Sequence, residues 1–426
     1  MDIISLVSLL LIVLFSSPAV TQDTSPQVVS DDQCQCYLTN GSNAHYFMKH
    51  KFFDFRSLSE YAGVPEIIRD PWDSSHAHAT SDYFLSDEWT DNWGTQSWNN
   101  SELLESGAND ASYLLVNSPN NIYIEENRDE DATSDPYLTM RTSRLPRFQT
   151  AAEFEGAVTG LHYVSVRMFA RTRGAPGAVA AMFTYRGAEE LADVQESDLE
   201  IRTMDPLETV QYTNQPSYTV DGDDVPEATR NVTLPRGLRW TDWAVYRMDW
   251  TPTTTTHYVD GEEVAAIEFQ NPRDPSQIFF NCWSDGGSWS GVMRRGHEAF
   301  LQIQWIDMVY NQTTENTARS DGDAPEQFDV LAERDAGPCQ QVCSIDQTDE
   351  VGTTVLIDDG NSDGDEDSNE GDGDEDSNEG DGDEDSNEGV GDEGGASSIF
   401  GVDGHLHHLK LWIPFIVAVT IGTGLI

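Results

Sequence analysis

Residues 194–203 read VQESDLEIRT and place three acidic residues at alternate positions. In a β-strand, successive side chains point to opposite faces, so Glu196, Asp198 and Glu200 would share one face and Ser197 and Leu199 the other. Neighbouring carboxyl groups raise one another's pKa, and a protonated acid beside an ionised one is the arrangement that cleaves glycosidic bonds. The stretch therefore predicts a catalytic strand, with a solvated acidic strand as the alternative.

The sequence around this stretch has the pattern of many short β-strands. Its segments are rich in β-branched and aromatic residues, nearly alternate in polarity, and are separated by Gly, Pro and Asp. Asp260-Gly261 is a signal for a tight hairpin turn. The segments are 49–55, 136–143, 160–172, 177–187, 196–203, 208–215, 229–234, 242–252, 256–269, 276–284 and 299–311. They predict an all-β sandwich, with the Trp- and Asn-rich residues 86–100 as a loop that shapes a cleft.

Both ends of the chain have the pattern of processing signals. The apolar run 4–15 and the small residues after it predict a secretory signal peptide over residues 1–19. Small residues around Gly395, a spacer and the apolar tail 411–426 predict a GPI anchor attached at Gly395, with 399–426 as spacer and tail. A single-pass tail anchor is the alternative, but sixteen apolar residues are short for a membrane-spanning helix.

The five cysteines lie in two pairs and one isolated position. In a secreted chain, Cys34 and Cys36 should form disulfides with Cys339 and Cys343 and so join the start of the domain to its end. The sequence leaves the pairing open. Cys282 lies in an apolar run and is expected to be a small buried residue.

The chain is strongly acidic, with a net charge of −53. Nucleic acid and anionic lipid surfaces are poor partners for such a chain, and adaptation to high salt is one hypothesis for the charge. The unit DGDEDSNEG occurs three times over residues 363–389 and contains no apolar residue. We expect residues 346–398 to form a disordered acidic stalk.

Several motifs in the predicted domain, residues 34–345, resemble glycoside hydrolase family 16, and together they cover most of residues 45–312. ESDLEI resembles the family's E-x-D-x-E signature, residues 242–264 resemble its W-x-x-Y-x-x-x-W-x-P and Y-V-D-G pattern, and NCWSDGGSWSG resembles its cleft strand and loop. The resemblance implies a β-jelly-roll sandwich of the concanavalin A-like type, similar to GPI-anchored fungal cell-wall enzymes.

The resemblance also implies roles for individual residues. Glu196 would be the nucleophile, Glu200 the general acid/base, and Asp198 the residue that tunes the pair. A retaining mechanism needs carboxyl groups about 5 to 5.5 Å apart, so we expect the strand to bend. Residues expected to contact sugar are Phe183, Tyr185, Tyr212, Asn214, Asn281, Trp283 and Trp289.

No cofactor is expected to be required. Many family members hold a structural calcium ion, but the matching position is Ile306 and Asp307 lies one residue out of register, so the sequence does not support calcium or another metal. Four sequons, Asn40, Asn99, Asn231 and Asn311, predict N-glycosylation. Nothing indicates an oligomer, and we expect a monomer.

The sequence therefore predicts an extracellular enzyme, GPI-anchored at the plasma membrane or cell wall. It would cleave β-1,3 or β-1,3-1,4 glucan internally through a glycosyl-enzyme intermediate. One alternative is a transglycosylase that passes the same intermediate to a cell-wall glucan or chitin acceptor. The other is a lectin-like domain that binds sugar without turnover, because such lectins share the sandwich architecture.

Overall fold

The computed structural model describes residues 27–107, 110–188, 190–219, 222–313 and 339–358. Short α-helices and many β-strands make up these residues. The helices are α1 (Pro71–Ser75), α2 (Asp87–Thr90) and α3 (Ser101–Ser106). The strands are β1 (Gln27–Val29), β2 (Cys36–Leu38), β3 (Tyr46–Phe47), β4 (Lys49–Asp54), β5 (Trp93–Thr95), β6 (Leu115–Asn117), β7 (Ile122–Glu126), β8 (Pro136–Arg144), β9 (Gln149–Gly156), β10 (Leu161–Gly174), β11 (Val179–Arg186), β12 (Gln195–Arg202), β13 (Thr209–Gln215), β14 (Thr229–Thr233), β15 (Ala244–Trp250), β16 (Thr255–Val259), β17 (Glu262–Ile267), β18 (Gln277–Trp283), β19 (Glu298–Gln312), β20 (Val342–Ser344) and β21 (Thr354–Asp358).

The strands of the sandwich form two packed layers that are joined by β9. The front layer has the strand order β14-β13-β12-β11-β18-β9, with β5 paired beyond β9. The back layer has the order β8-β19-β10-β15-β16-β17, with β4 and β7 paired to β19 and β8. β9 pairs with β18 through 152–155 and with β8 through 149–150, so one sheet continues from layer to layer. The prediction of an all-β sandwich of the jelly-roll type is confirmed.

The alternating pattern of the strands determines which side chains fill the space between the layers. On the front layer, Met182, Leu199 and Phe280 point inward, and on the back layer Val166 and Met248 do the same. All are buried in one continuous apolar core, as expected for strands with one face turned to a partner sheet. The predicted turn at Asp260-Gly261 joins β16 to β17, and both residues have positive φ (46° and 80°), as a type I′ hairpin turn requires.

A separate five-stranded sheet, with the order β1-β21-β20-β2-β3, joins the two ends of the described chain. We call it the terminal sheet. Two disulfides, Cys34–Cys343 and Cys36–Cys339, cross-link its strands over sequence separations of 309 and 303 residues. The prediction that the two cysteine pairs join the start of the domain to its end is therefore confirmed, and the pairing is decided. Cys282 is buried and free.

The terminal sheet changes the domain boundaries that the sequence predicted. β1 begins at Gln27, before the predicted start at residue 34. β21 pairs with β1 and β20, so residues 346–358, which we had placed in the acidic stalk, belong to the fold. The prediction missed these strands because each is only three to five residues long and is stabilised by partners about 300 residues away.

The predicted signal peptide, the three acidic repeats, Gly395 and the apolar tail lie outside the described residues. They remain predictions. Of the helices in the described residues, none is long and apolar enough to span a bilayer.

The four predicted glycosylation sites differ in exposure. Asn40, Asn99 and Asn231 are exposed. Asn311 is 6% exposed, and its amide donates to the Tyr46 carbonyl and accepts from the Met48 N–H. A buried side chain whose amide groups are already bonded cannot carry a glycan in this fold, so the prediction for Asn311 is wrong.

Candidate active site

The structure brings the three predicted acids together on one face of β12. Glu196, Asp198 and Glu200 point away from the core, whereas Leu199 and Ile201, between and after them, lie within it. Glu196 is 8% exposed and Asp198 4% exposed. We call the face of the front layer that carries these acids the acidic face.

Strand register determines which residues lie beside each acid on this face. The partners of the acids on β11 and β13 are Tyr185 and Gln215 for Glu196, Phe183 and Thr213 for Asp198, and Ala181 and Gln211 for Glu200. The aromatic side chains therefore stand beside Glu196 and Asp198, and the smallest side chain stands beside Glu200. Rings of β11 therefore lie next to Glu196 and Asp198, and the Trp289 ring packs in one cluster with Ala181 and contacts Glu200.

Burial raises the pKa of all three acids, and the charge of a neighbouring carboxyl group adds to each shift. Burial raises the pKa of Glu196 to about 8, against the hydrogen bond with Asp198 that lowers it. Burial and then the negative charges of Glu196 and Glu200 raise the pKa of Asp198 well above its usual value. Burial raises the pKa of Glu200 to about 7, although the Trp289 hydrogen bond lowers it. Carboxyl groups in this state can hold and transfer protons near neutral pH.

Hydrogen bonds orient two of the acids and leave the third partly unbonded. The Trp289 indole N–H donates to Glu200 Oε1 at 3.1 Å, and Gln215 Nε2 donates to Asp198 Oδ2 at 3.3 Å. Glu196 Oε2 is buried and has no hydrogen-bond partner within the described residues.

Five of the seven predicted sugar-contacting residues belong to the neighbourhood of the acids. Phe183, Tyr185, Asn281 and Trp283 lie on the acidic face, because β11 and β18 pair residue 181 with 281 and 179 with 283. Trp289 lies on the loop after β18 and packs with Phe183 and Trp283 in one small apolar cluster. This cluster is separate from the core between the layers, and it offers flat rings to a ligand on the acidic face.

The prediction for Tyr212 and Asn214 is wrong. β13 pairs Tyr212 with Leu199 and Asn214 with Ser197, so both side chains point to the core rather than to the acids. Both are fully buried. Asn214 Nδ2 donates to the carbonyls of Ile267 and Phe269, and the Tyr212 ring lies 4.3 Å from that of His257.

Sequence reasoning also missed residues of the acidic face that β9 and β18 provide. Glu153 and Glu155 alternate with the buried Phe154, and Phe279 stacks on Phe183 at 5.2 Å between ring centroids. Burial raises the pKa of Glu153 to about 7, while hydrogen bonds from Trp98 and Asn281 lower it. The same alternation of acids that identifies β12 is present in AAEFEG, residues 151–156, and could have indicated them.

The structure offers no support for a bound metal ion. Within the described ranges, no group of three or more His, Cys, Asp or Glu side chains has the geometry of a metal site. Ile306 points into the core. The neighbouring Asp307 carboxylate accepts hydrogen bonds from His50 at 2.8 Å and from Arg167 at 2.7 Å, so cationic side chains occupy its oxygens.

The chain is similar in sequence to known proteins over the part that contains β12. The family model of glycosyl hydrolases family 16 matches residues 113–306, which include β12 and the rest of the acidic face. The chain is 28% identical over 132 residues to a β-glucanase of Bacillus licheniformis and 25% identical to one of Bacillus subtilis (strain 168). Each match covers 30% of this chain and 51% of the relative, so the chain spans about half the length of the curated relatives it matches.

Solved structures of similar proteins include two glucanases. One is a prokaryotic β-1,3-1,4-glucanase (lichenase) derived from a mouse hindgut metagenome, with a TM-score of 0.41 and 18% identity, over 62% of this chain and 100% of that chain. The other is the endo-β-1,3-glucanase of Pyrococcus furiosus, with a TM-score of 0.43 and 16% identity, over 66% of this chain and 99% of that chain.

Proposed function

We propose, on the premise that residues 113–306 are a glycosyl hydrolase family 16 domain, that this protein is a retaining endo-β-glucanase acting on β-1,3 or β-1,3-1,4 glucan. One observation carries the proposal. Three carboxyl groups with raised pKa values share one face of β12, beside aromatic rings that can stack on sugar. A purely structural strand gains nothing from packing three like charges together.

The three acids fit distinct chemical roles. Glu196 and Glu200 titrate as a coupled pair, and in the reactive form the proton resides on Glu200, although in the free protein the pKa of Glu196, about 8, lies above that of Glu200, about 7. In that form, ionised Glu196 attacks the anomeric carbon of the sugar while Glu200 protonates the leaving oxygen. Glu200 then removes a proton from water, which hydrolyses the glycosyl-enzyme intermediate. Asp198 retains its proton because its pKa is raised, and its hydrogen bond to Glu196 favours the ionised nucleophile.

The hydrogen-bonding groups of the acidic face favour a substrate rich in hydroxyl groups. Two indole donors on this face are engaged by the protein: the Trp98 indole donates to Glu153 at 3.0 Å, and the Trp289 indole donates to Glu200. Three buried oxygens on the same face, Tyr185 OH, Glu196 Oε2 and Asn281 Oδ1, have no protein partner within the described residues and can accept hydrogen bonds. A neutral glucan supplies the hydroxyl donors that these acceptors need.

The experiment that tests the proposal compares the unmutated chain with Glu196→Gln on laminarin and lichenan. We expect endo-type products from the unmutated chain, and a loss of hydrolysis of about 10³-fold or more in the variant, with glucan binding retained. Glu60→Gln, which changes an exposed glutamate, serves as the matched control and should hydrolyse normally. Binding of glucan by the unmutated chain without any turnover would favour the lectin-like alternative instead.

Product analysis with an added oligosaccharide acceptor separates hydrolysis from transglycosylation. A hydrolase releases sugars with new reducing ends at the same rate with or without acceptor. Products longer than the donor that form only with acceptor would replace our proposal by the transglycosylase alternative.

We further propose that the protein acts at the cell surface as a GPI-anchored glycoprotein. Two disulfides support an oxidising compartment, and three of the four sequons are exposed. Release of the protein from intact cells by a GPI-specific phospholipase is the expected result. Retention at the membrane after that treatment would favour the tail-anchor alternative.

A further inference from the structure

A cluster of polar side chains is buried directly behind the catalytic strand, on the core side of the front layer. Thr184, Ser197 and Asn214 lie side by side on β11, β12 and β13, because the strand register pairs 184 with 197 and 197 with 214. Ser197 is the residue between Glu196 and Asp198. The cluster therefore lies on the reverse side of the strand that carries the acids.

The cluster continues across the core to the back layer. Tyr212 is two residues before Asn214 on the same face of β13, and its ring lies 4.3 Å from that of His257 on β16. Tyr246, on the adjacent strand β15, is close enough to Tyr212 to influence its ionisation. We call these residues the buried polar cluster, and its members are Thr184, Ser197, Tyr212, Asn214, Tyr246 and His257.

All six side chains are fully buried, with an exposed fraction of 0%. Seven of their polar atoms have no hydrogen-bond partner among the described residues: Thr184 Oγ1, Ser197 Oγ, Tyr212 OH, Asn214 Oδ1, Tyr246 OH, and both ring nitrogens of His257. Leaving one buried polar atom unbonded costs free energy, and seven in a single place would together rival the whole stability of a domain. Protein interiors avoid that cost with direct partners or with ordered water.

The chemistry of the unbonded atoms identifies the ligand. Burial lowers the pKa of His257 to about 3, so its ring is neutral and presents one donor and one acceptor. The Asn214 oxygen only accepts, while the hydroxyl groups can both donate and accept. A ligand that satisfies this mixture must itself donate and accept, and without a charged residue in the cluster it must be uncharged.

We propose that the buried polar cluster is a binding site for ordered water molecules, which connect the back of the catalytic strand to the opposite layer. Each buried water makes about three hydrogen bonds, so two or three molecules are enough to satisfy the seven atoms. β12 is then held in place behind Ser197 by water-mediated hydrogen bonds in addition to the apolar contacts of Leu199 and Ile201. This inference does not depend on the proposed enzymatic function.

The sign of a stability change tests the proposal. In a dry core, removing an unbonded hydroxyl would stabilise the protein, whereas in a hydrated core it breaks a bond to water. We expect Tyr212→Phe and Tyr246→Phe, made in the full chain, each to lower Tm by about 2–4 °C. The double variant should lower Tm by less than the sum, because the two hydroxyls share water.

Tyr310→Phe is the matched control, since this ring also packs in the core but its hydroxyl is not one of the buried atoms that need a partner. Its Tm should remain close to that of the unmutated chain. A rise or no change in Tm for both cluster variants would overturn the proposal. A high-resolution crystal structure of the unmutated protein gives an independent result: water density within hydrogen-bonding distance of His257 and Tyr246 supports the site, and a dry or directly bonded cluster refutes it.

Discussion

Carboxyl groups are buried on both outer faces of the sandwich, and the two faces treat them in opposite ways. On the acidic face, no ion pair involves Glu196, Asp198 or Glu200 within the residues that the structure describes. On the outer face of the back layer, Asp307 bonds to His50 at 2.8 Å and to Arg167 at 2.7 Å. In the described part of the chain, the three acids of the first face have no ion-pair partner, although the Arg202 charge lowers the pKa of Glu200, and the acid of the second face is paired with two basic side chains.

The pKa shifts follow this difference. Burial raises the pKa of Asp307, but the His50 hydrogen bond and the Arg167 charge outweigh burial and hold it below its usual value. Burial also raises the pKa of Glu200, and the Trp289 hydrogen bond, which lowers this pKa, does not outweigh burial. A buried carboxyl group is therefore held ionised where basic side chains bond to it, on the back, and has a raised pKa where none of the described basic side chains does, in front.

The paired charges on the back layer also hold the terminal sheet. Arg167 and Arg247 both contact Asp346, which follows β20, at 3.0 Å. His50 bridges Asp307 to Asp31 near β1 at 2.9 Å. Among the described residues, this fold uses paired acids for stability on one face, and on the other it leaves unpaired the three acids to which we assign catalysis in the proposed function.

The largest expected effect on stability comes from breaking the paired side. Asp307→Asn leaves His50 and Arg167 without their shared counter-charge in a site where Asp307 is fully buried. We expect a loss of about 3–5 kcal/mol in the free energy of unfolding, measured by urea denaturation. Hydrolysis per folded molecule should be unchanged, and a loss below about 1 kcal/mol would contradict the structural role of this pair.

The pH dependence of stability tests whether His50 stabilises the fold through its acidic partners. Burial lowers the pKa of His50, but hydrogen bonds and charges of Asp307 and Asp31 raise it to about 9. Because this folded-state pKa lies above the unfolded value near 6.5, the stabilisation is complete below about pH 6.5 and is lost as pH rises through about 9. The upper limit is about 3 kcal/mol.

Denaturation at pH 6 and at pH 9.5 measures this effect, with His50→Gln and the exposed-residue control His78→Gln. His50→Gln should reduce the loss of stability between these pH values, and His78→Gln should keep it. Equal pH dependence in all three proteins would show that His50 contributes no proton linkage.

Removing an acid from the acidic face should stabilise the protein, whereas removing Asp307 should destabilise it. The pKa of Glu196 is raised by burial to about 8, above its unfolded value, so stability falls as pH rises from about 4.5 towards 8. Glu196→Gln removes this carboxyl group and should increase the free energy of unfolding at pH 8.5 by about 1–3 kcal/mol, with little change at pH 4. A destabilised variant at pH 8.5 would mean that the acidic face is not under electrostatic strain.

The smallest expected effect concerns the pH profile of hydrolysis. The Trp289 hydrogen bond lowers the pKa of Glu200, which must be protonated to act as the acid. Trp289→Phe removes the hydrogen bond but keeps an aromatic ring, and should move the alkaline limb of kcat/KM upward by about 0.5–1 pH unit. An unchanged limb, or one moved to lower pH, would argue against Glu200 as the acid.

The acids of β12 could be predicted because one segment contains the whole signal. Three carboxyl groups at alternate positions share a face in any regular strand, whichever strands lie beside it. Which side chains of β13 face the acids could not be predicted in the same way. In residues 212–215, YTNQ, the sequence alone does not show which alternate side chains face the core. Only the pairing of Tyr212 with Leu199 shows that Tyr212 points into the core.

The near-alternation of polar and apolar residues, with Gly, Pro and Asp between the segments, determined that this protein is an all-β sandwich. The alternate spacing of the three acids placed them on a single strand face. Both patterns are local in the sequence. Three-dimensional packing alone decided the cysteine pairing, the inclusion of residues 346–358 in the fold and the joining of Glu153 to the acidic face. These features depend on partners far apart in the chain. The sequence around a short strand or a single cysteine does not identify the residue with which it pairs.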